Sequence, residues 1–301
     1  MTADPTGHRF HLRGPRSSAE IAQVGAALRA LTVDGVDLVP RYADDVPTPA
    51  ASGVVLVPWP NRIRDGRYSF AGVERQLALS EPAFGNASHG LLRFGSYTAV
   101  EVTDDRLVLT ADVVPQTGYP FHLRTRVTFI LLPDGLHVEH VIENVGADTA
   151  PVALGIHPYL QIGGVATADL VIHSTGTSTL VVDDRKLPVD EVSVSGATDL
   201  RAGRRLGDVA LDNAYRGLER DADGRARHTL TAPDGRRVEL WQDAGFEWTQ
   251  VFTTDRYPGN SLAVAIEPMT APSNAFASGV DLVALEPGCE MRREWGISYR
   301  A

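Results

Sequence analysis

The feature that most constrains the fold of this chain is a period of two in its hydrophobicity. In residues 121–131, apolar and polar side chains largely alternate. Successive side chains of a strand point to opposite faces, so this pattern predicts a half-buried β-strand. Similar strand-like segments occur at residues 107–114, 136–143, 152–156, 170–173, 228–231 and 238–241.

Turn signals that contain glycine separate several of these segments. They are Asp65-Gly66, Pro133-Asp134-Gly135, Asp223-Gly224 and Pro233-Asp234-Gly235. Aspartate and glycine both favour tight turns, glycine because it adopts positive φ without steric cost. Many short strands joined by such turns predict an all-β fold, as an antiparallel sandwich or barrel.

One segment shows a competing period. In residues 18–31, the apolar residues Ile21, Val24, Leu28 and Leu31 fall at helical spacing behind serines that can cap a helix. Taken alone, this periodicity predicts a helix in the segment.

The bulk properties of the chain limit its organisation and its partners. Its 301 residues can bury a sizeable core, and no linker, low-complexity segment or repeat divides them, so we predict a single domain over residues 1–301. The 28 lysines and arginines against 38 acidic residues give a net charge of −10, without a basic cluster. This balance argues against nucleic-acid binding.

The distribution of apolar residues and cysteine bears on location. No stretch approaches the roughly 20 apolar residues that cross a bilayer, and residues 1–20 contain no apolar signal segment, so we expect a cytoplasmic protein without a membrane partner. The one cysteine, Cys289, excludes an internal disulfide. Acidic residues on both sides of it disfavour a reactive thiolate, so we expect no catalytic role for it.

Familiar cofactor and metal motifs are missing from the sequence. It contains no phosphate-binding loop, no Rossmann glycine fingerprint and no nucleophile elbow. His137 and His140 suggest a metal site at first sight, but residues three apart on a strand point to opposite faces and cannot chelate one ion. We therefore predict no metal and no organic cofactor.

Two titratable residues, His157 and Glu267, each end an apolar run immediately before a proline. Both should be partly buried, and a buried charge needs a partner. A histidine and a carboxylate held in this way can move protons as an acid–base pair without a cofactor. A structural ion pair would satisfy the same requirement without catalysis, and the residues alone leave both interpretations open.

Further polar residues stand at predicted strand ends and turns: Asn61, Arg62, His89 and Asp212. Singly, each has a simple structural explanation. Asn61 and Arg62 could close a turn after Pro58-Trp59-Pro60, and Asp212 could form an Asx-turn.

Together, five segments resemble a known family. Residues 55–63, 86–93, 155–159, 211–215 and 265–270 are similar, in this order, to the signature segments of aldose 1-epimerases, also called galactose mutarotases. The resemblance covers residues from about 50 to 275. It implies a large antiparallel β-sandwich with a sugar cleft on one face and no nucleotide cofactor. It also implies strands rather than a helix in residues 18–31, with Gly25 in a turn or at a strand end, and we follow it there.

The resemblance also implies roles for individual residues. His157 is similar to the general acid of the family and Glu267 to its general base. Arg62, His89 and Asp212 are similar to its sugar-binding residues, and Asn61 and Gln250 match further contacts to the hydroxyls.

The activity implied is the interconversion of the α and β anomers of a free hexose by ring opening and closure. Neutral pH suits the pair only if His157 stays protonated in the complex with the sugar, where the opposite charge of Glu267 could raise the pKa of His157. Four aromatic residues could stack on the sugar or belong to the core: Trp59, Tyr119, Tyr159 and Trp248.

The sequence departs from typical galactose mutarotases after the His89-Gly90 dipeptide, where Leu91, Leu92 and Arg93 follow. This form is more similar to branches that act on other sugars, including phosphorylated or sulfonated hexoses. Arg93 is a candidate to bind an anionic substituent at C6, because guanidinium pairs well with phosphate or sulfonate oxygens. A salt bridge beneath the cleft is the alternative role for Arg93.

Two other classes of protein remain open. A non-catalytic sugar-binding or regulatory sandwich would keep the cleft but has no need of both His157 and Glu267. A glycoside hydrolase needs two carboxylates, for which Asp212 and Glu267 are candidates, but it leaves the histidine without a task. The expected partner is a monosaccharide, and the sequence allows a monomer or a homodimer.

Overall fold

The computed structural model describes residues 4–301 as a protein built almost entirely of strands. Short 3₁₀ turns lie at Pro49–Ala51, Thr167–Asp169, Gly196–Thr198 and Leu206–Asp208, and one α-helix, α1, spans Ala275–Ser278. The strands, in chain order, are β1 (Arg9–Arg13), β2 (Ser17–Ala22), β3 (Leu28–Val33), β4 (Val36–Asp37), β5 (Val55–Leu56), β6 (Arg62–Arg64), β7 (Arg67–Phe70), β8 (Val73–Gln76), β9 (Asn86–Ser88), β10 (Thr98–Val102), β11 (Arg106–Val113), β12 (Leu123–Leu132), β13 (Gly135–Asn144), β14 (Ala150–Val152), β15 (Gly155–Ile156), β16 (Tyr159–Leu160), β17 (Val171–His173), β18 (Ser178–Val182), β19 (Pro188–Ser193), β20 (Arg204–Arg205), β21 (Asp212–Arg216), β22 (Ala226–Thr231), β23 (Arg237–Gln242), β24 (Trp248–Thr254), β25 (Ala263–Met269), β26 (Val283–Leu285) and β27 (Glu290–Arg300).

Two large antiparallel sheets form the sandwich. The nine-stranded sheet has the order β10-β11-β12-β13-β27-β23-β22-β17-β20. The eight-stranded sheet has the order β19-β18-β21-β24-β25-β15-β5, with β16 paired beside β25. One continuous core joins them, since it contains Leu109 and Val127 of the first sheet together with Val251 and Ile266 of the second. The predicted all-β antiparallel fold is confirmed.

The alternating segment at residues 121–131 forms most of β12. Leu123, Thr125 and Val127 are buried, whereas Arg124 and Arg126 between them are exposed. The Pro133-Asp134-Gly135 signal turns the chain into β13, and Leu132 pairs with Gly135 across the turn. The period of two therefore located both the strand and its buried face.

The helix that periodicity predicts in residues 18–31 is wrong. The segment forms the antiparallel strands β2 and β3, and Ile21 pairs with Leu28 across the turn between them. Gly25 sits in that turn at a φ of +69°, and a Cβ there would approach the Arg93 carbonyl oxygen to 2.9 Å. A hairpin buries the same apolar side chains that helical spacing would gather on one face, so the spacing alone could not separate the two. The strands implied by the family resemblance are present.

His137 and His140 of β13 have separate partners. The His137 Nε2 lies 3.2 Å from a Glu294 carboxylate oxygen, while the Trp295 indole N–H donates to the His140 Nε2 over 2.9 Å. Within residues 4–301, no group of three or more His, Cys, Asp or Glu side chains is arranged to hold a metal ion. In the same range, no helix is long and apolar enough to span a membrane.

Candidate active site

Strands of the eight-stranded sheet bring three polar side chains to one face. Gln250 of β24 pairs directly with Glu267 of β25, and Ala214 of β21 pairs with Gln250 on its other side. Asp212, two residues before Ala214, therefore lies diagonally beside Gln250 on the same face. The Gln250 side-chain amide donates to Asp212 Oδ1 over 2.8 Å.

The β6–β9 ribbon adds the residues predicted from the N-terminal half. Arg62 pairs with Ser88, and the residues just outside these strands, Asn61 and His89, both adopt left-handed backbone conformations with φ of 54° and 61°. Gly90 follows at a φ of +72°, where a Cβ would lie 2.2 Å from the Val57 carbonyl oxygen. Residue 90 must therefore be glycine for the backbone to pass this close to Val57, which explains the His-Gly dipeptide.

His157 and Glu267 converge as predicted. His157 follows β15, and its Nε2 lies 3.4 Å from Glu267 Oε1. The two side chains are only 7% and 3% exposed. The ring of Tyr159 stacks on the imidazole, with centroids 5.4 Å apart. Two residues far apart in the sequence therefore form one buried pair that can share a proton.

Burial shifts the two pKa values of this pair in opposite directions. It lowers the pKa of His157 and raises that of Glu267 well above its usual value, to which the negative charge of Asp212 also contributes. In the protein without sugar, burial is the largest influence on the pKa of His157, and the charges of Arg93 and Arg62 lower it further. The effect of Glu267 expected in the complex with sugar stays a prediction. The two opposite shifts favour a pair that carries a single proton.

His89 lies against this pair as a neutral imidazole. Its ring centroid is 5.6 Å from that of His157, and its pKa is lowered well below the usual value by burial and by the other imidazole. The Asn61 backbone N–H donates to His89 Nδ1 over 3.2 Å. The proton is therefore assigned to Nε2, which leaves His89 a hydrogen-bond donor.

A cavity of about 320 Å³ contains every residue of the predicted site. A cavity of this size is typical of small-molecule sites. Its lining is Ala50, Ala51, Asn61, Arg62, Ser80, Glu81, Ser88, His89, Arg93, His157, Asp212, Gln250, Phe252 and Glu267.

The four aromatic residues proposed as alternatives for stacking are core residues. Trp59, Tyr119, Tyr159 and Trp248 are at most 2% exposed, and none lines the cavity. The aromatic side chain that does line it is Phe252, on β24. Sequence reasoning missed Phe252 because an apolar residue in a buried strand has no mark that separates a cavity wall from core.

Two charged residues of the site also escaped the sequence analysis. Glu81 binds Arg62 through two hydrogen bonds, of 2.7 and 2.9 Å. Lys186 Nζ lies 3.3 Å from Asp212 Oδ2. No motif marks Glu81 among the 38 acidic residues, but Lys186 carried a signal, since it is the one lysine in the chain.

Arg93 lines the cavity without the carboxylate partner that Arg62 has. Its guanidinium packs against the Phe94 ring, 5.0 Å from the centroid, and burial lowers its pKa. Its Nε has no hydrogen-bond partner within residues 4–301. The carboxylate whose charge acts on it, Glu81, binds Arg62.

Known proteins resemble this chain along nearly its whole length. Residues 8–298 match the family model described as aldose 1-epimerase. The chain belongs to the aldose 1-epimerase family. This membership places it among the isomerases, with a sugar as the class of substrate. The uncharacterized protein YihR of Escherichia coli is 34% identical over 291 residues, which cover 94% of this chain and 90% of that protein.

Solved structures of aldose epimerase relatives share the fold. A putative aldose 1-epimerase of Escherichia coli has a TM-score of 0.83 at 21% identity and covers 97% of this chain and 99% of its own. An aldose epimerase homologue of Caenorhabditis elegans has a TM-score of 0.84 at 19% identity, with coverage of 97% and 98%. At this identity the likeness concerns the fold alone, and it agrees with the antiparallel sandwich described above.

Proposed function

We propose that this protein interconverts the α and β anomers of a free hexose, with His157 and Glu267 as the acid–base pair. The observation that carries the proposal is the 3.4 Å approach of His157 Nε2 to Glu267 Oε1 inside a cavity of sugar size. Arg62, His89, Asp212 and other groups around the pair offer hydrogen bonds to sugar hydroxyls.

Anomer exchange needs one proton donor and one proton acceptor at the same time. The Glu267 carboxylate takes the proton of the C1 hydroxyl while the protonated His157 donates to the ring oxygen, and the C1–O5 bond breaks to give the open-chain aldehyde. After rotation about C1–C2, the two groups exchange roles and the ring closes on the other carbonyl face. Acid and base catalysis contribute about 10²–10⁴-fold each.

The singly protonated pair suits this cycle. Burial disfavours both the doubly protonated pair with a charged imidazole and the fully deprotonated pair with a charged carboxylate. The one remaining proton can move across the short contact between the two side chains, and whichever residue holds it acts as the acid. Opening and closure then start with the same total of one proton on the pair, held by His157 for opening and by Glu267 for closure.

We further propose that the preferred hexose carries an anionic substituent at C6. Arg93 lies on the imidazole side of the cavity, because a Cβ on Gly25 would be 2.9 Å from both the Arg93 carbonyl oxygen and Val54 Cγ1. The His157 backbone N–H donates to the carbonyl oxygen of the same Val54 over 3.2 Å. If His157 serves the ring oxygen, C5 and C6 lie on that side as well. A guanidinium that lacks a carboxylate partner is well suited to phosphate or sulfonate oxygens.

Asp212 is better suited to binding than to a hydrolase mechanism. Its two carboxylate oxygens already contact Gln250 and Lys186, at 2.8 and 3.3 Å. A pair of Asp212 and Glu267 would also leave His157, in direct contact with Glu267, without a role in hydrolysis.

Polarimetry on freshly dissolved anomers tests the activity and the substrate together. We expect the wild type to accelerate anomer exchange of glucose and to have a higher kcat/KM for glucose 6-phosphate or a 6-sulfonated glucose. Arg93→Met should remove most of that preference and leave the value for glucose within about threefold. Equal kcat/KM values for the wild type and Arg93→Met on every sugar would refute the C6 proposal, and hydrolysis of an aryl glycoside without anomer exchange would refute the mutarotase proposal.

A further inference from the structure

Beside the main cavity lies a small cavity of about 10 Å³, here called the extension, which shares four wall residues with it. This is about the space that one water-sized group needs. The extension shares Asn61, Arg62, Asp212 and Gln250 with the main cavity, and its own walls are Leu180, Val182, Lys186, Ala214 and Ser273.

We propose that this extension binds one ring hydroxyl of the sugar and that Ser273 recognises it. The inference deepens the proposed mutarotase function and rests on it. It assigns a specificity-determining residue at a position that the family resemblance does not mark.

Ser273 has an unpaired hydroxyl at the wall of the extension. The residue is 5% exposed, and its Oγ has no hydrogen-bond partner within residues 4–301. A serine hydroxyl can donate one hydrogen bond and accept two, and leaving it buried without a partner is costly. A hydroxyl that enters the extension would supply the missing partner.

The backbone around Ser273 is fixed on both sides. The Asn274 N–H donates to the Arg62 carbonyl oxygen over 2.6 Å, and the Arg64 N–H donates to Asn274 Oδ1 over 3.0 Å. Before it, the Leu154 N–H donates to Thr270 Oγ1 over 2.9 Å. These bonds tie the segment after β25 to β6 and to Leu154, the residue before β15. They hold Ser273 at the wall of the extension.

The chemistry of the walls selects a small polar group. Leu180, Val182 and Ala214 are apolar and offer no hydrogen bonds. The polar side chains are those shared with the main cavity, together with Ser273 and Lys186, whose Nζ lies 3.3 Å from Asp212 Oδ2. A hydroxyl can bond to these atoms and fits the volume, whereas an acetamido or phosphate group exceeds it.

The position of the extension indicates which hydroxyl enters. Its walls include Asp212 and Gln250 but neither His157 nor Arg93. Gln250 pairs across the sheet with Glu267, the residue assigned to the C1 hydroxyl. Arg93 lies on the side of His157, and so of the ring oxygen, since both residues adjoin Val54 and Gly25. The extension therefore faces the C2 and C3 side of the pyranose, opposite to C6.

Deoxy sugars test this assignment when they are combined with Ser273→Ala. For glucose, we expect the variant to raise KM about 3- to 10-fold, the value of one hydrogen bond. We expect kcat to change little, because the recognised hydroxyl keeps its proton and its covalent bonds throughout the reaction. With either 2-deoxyglucose or 3-deoxyglucose, the ratio of wild-type to variant kcat/KM should fall to about one, because that sugar lacks the recognised group. Ser174→Ala removes a buried hydroxyl that bonds His228 outside the cavity and should behave as the wild type in kcat and KM.

A second measurement reports on binding without turnover. Lys186 is the one lysine of the chain, so acetylation of its side chain by a mild reagent can be followed by mass spectrometry. Glucose should slow this acetylation in the wild type at lower concentration than in Ser273→Ala. Unchanged KM and unchanged protection in Ser273→Ala, or a ratio that persists with both deoxy sugars, would overturn the proposal. Protection of Lys186 without anomer exchange would instead refute the mutarotase function and keep the subsite.

Discussion

At the scale of single residues, the singly protonated state of the His157–Glu267 pair predicts an unusual pH profile. Because burial lowers the pKa of His157, the acid limb of the kcat/KM profile moves to lower pH. Because burial raises the pKa of Glu267, the basic limb moves to higher pH, and the one-proton state of the pair spans a wide pH range. We expect kcat/KM for anomer exchange, measured by polarimetry between pH 5 and 7.5, to be nearly flat. An inflection near the ordinary histidine pKa of about 6.5 would show that the imidazole titrates as if exposed.

Glu81 offers a second test at this scale, because it fixes Arg62 and has no place in proton transfer. In Glu81→Gln, an amino group replaces one of the two oxygens that accept from Arg62 over 2.7 and 2.9 Å, and the negative charge is lost, so Arg62 is held less firmly. We expect KM to rise about tenfold with kcat within about threefold, and Glu81→Asp to recover part of the loss.

The matched control for Glu81 is Glu74, an exposed glutamate of β8. Glu74→Gln should leave both kinetic constants unchanged. A fall in kcat for Glu81→Gln with an unchanged KM would contradict the positioning role of Glu81.

At the scale of elements, the tight approach between Gly90 and Val57 should be sensitive to one methyl group. Gly90 has a φ of +72°, and an added Cβ would lie 2.2 Å from the Val57 carbonyl oxygen. Gly259 has a similar φ of +76° with nothing within 4 Å of a Cβ. A comparison of alanine variants at the two positions therefore separates the steric clash with Val57 from the cost of the left-handed backbone conformation.

We expect Gly259→Ala to lower the free energy of unfolding by about 1–2 kcal/mol, the cost of the left-handed backbone alone. Gly90→Ala should cost at least about 2 kcal/mol more and should also impair anomer exchange, since His89 precedes it. Urea unfolding followed by tryptophan fluorescence measures the difference. Equal losses in the two variants would mean that the backbone at residue 90 yields to the methyl group.

The half-buried strands could be predicted from the sequence, whereas the pairing of one strand with another could not. The alternation of β12 identified its buried face, but β24 and β25 are buried on both faces over much of their length and show no period. Nothing local in the sequence indicated that Gln250 would pair with Glu267. The family resemblance identified the predicted site residues. Glu81, which belongs to no motif, could be identified only from the structure.

At the scale of the whole molecule, buried neutral histidines make stability depend on pH. Burial lowers the pKa of His140 to about 3, and the residue is fully buried. In the unfolded chain its pKa returns to about 6.5, so the unfolded state binds the proton first as the pH falls. The contribution of His140 to stability is therefore complete above pH 6.5 and is lost progressively below it.

Between pH 7.5 and 5.0 we expect His140 alone to account for a loss of about 2 kcal/mol in the free energy of unfolding. His140→Gln should be less stable at pH 7.5 but should lose about 2 kcal/mol less on acidification, as measured by urea unfolding at both values. Val138→Ala, at a fully buried and non-titrating position of the same strand, is the control and should lower stability by a similar amount at both pH values. If the free energy of unfolding of His140→Gln changed with pH as much as that of the wild type, His140 would not be the source of this pH dependence. The same unfolding curves test the predicted single domain, which requires one cooperative transition.

The most direct measurement of the central proposal compares single and double variants of the pair in anomer exchange. We expect His157→Ala and Glu267→Gln each to lower kcat/KM at least about 100-fold, because proton donor and acceptor act together. The double variant should be little worse than either single variant. Singles that retain the wild-type rate, or losses that multiply in the double variant, would show that the two side chains do not act as one acid–base pair.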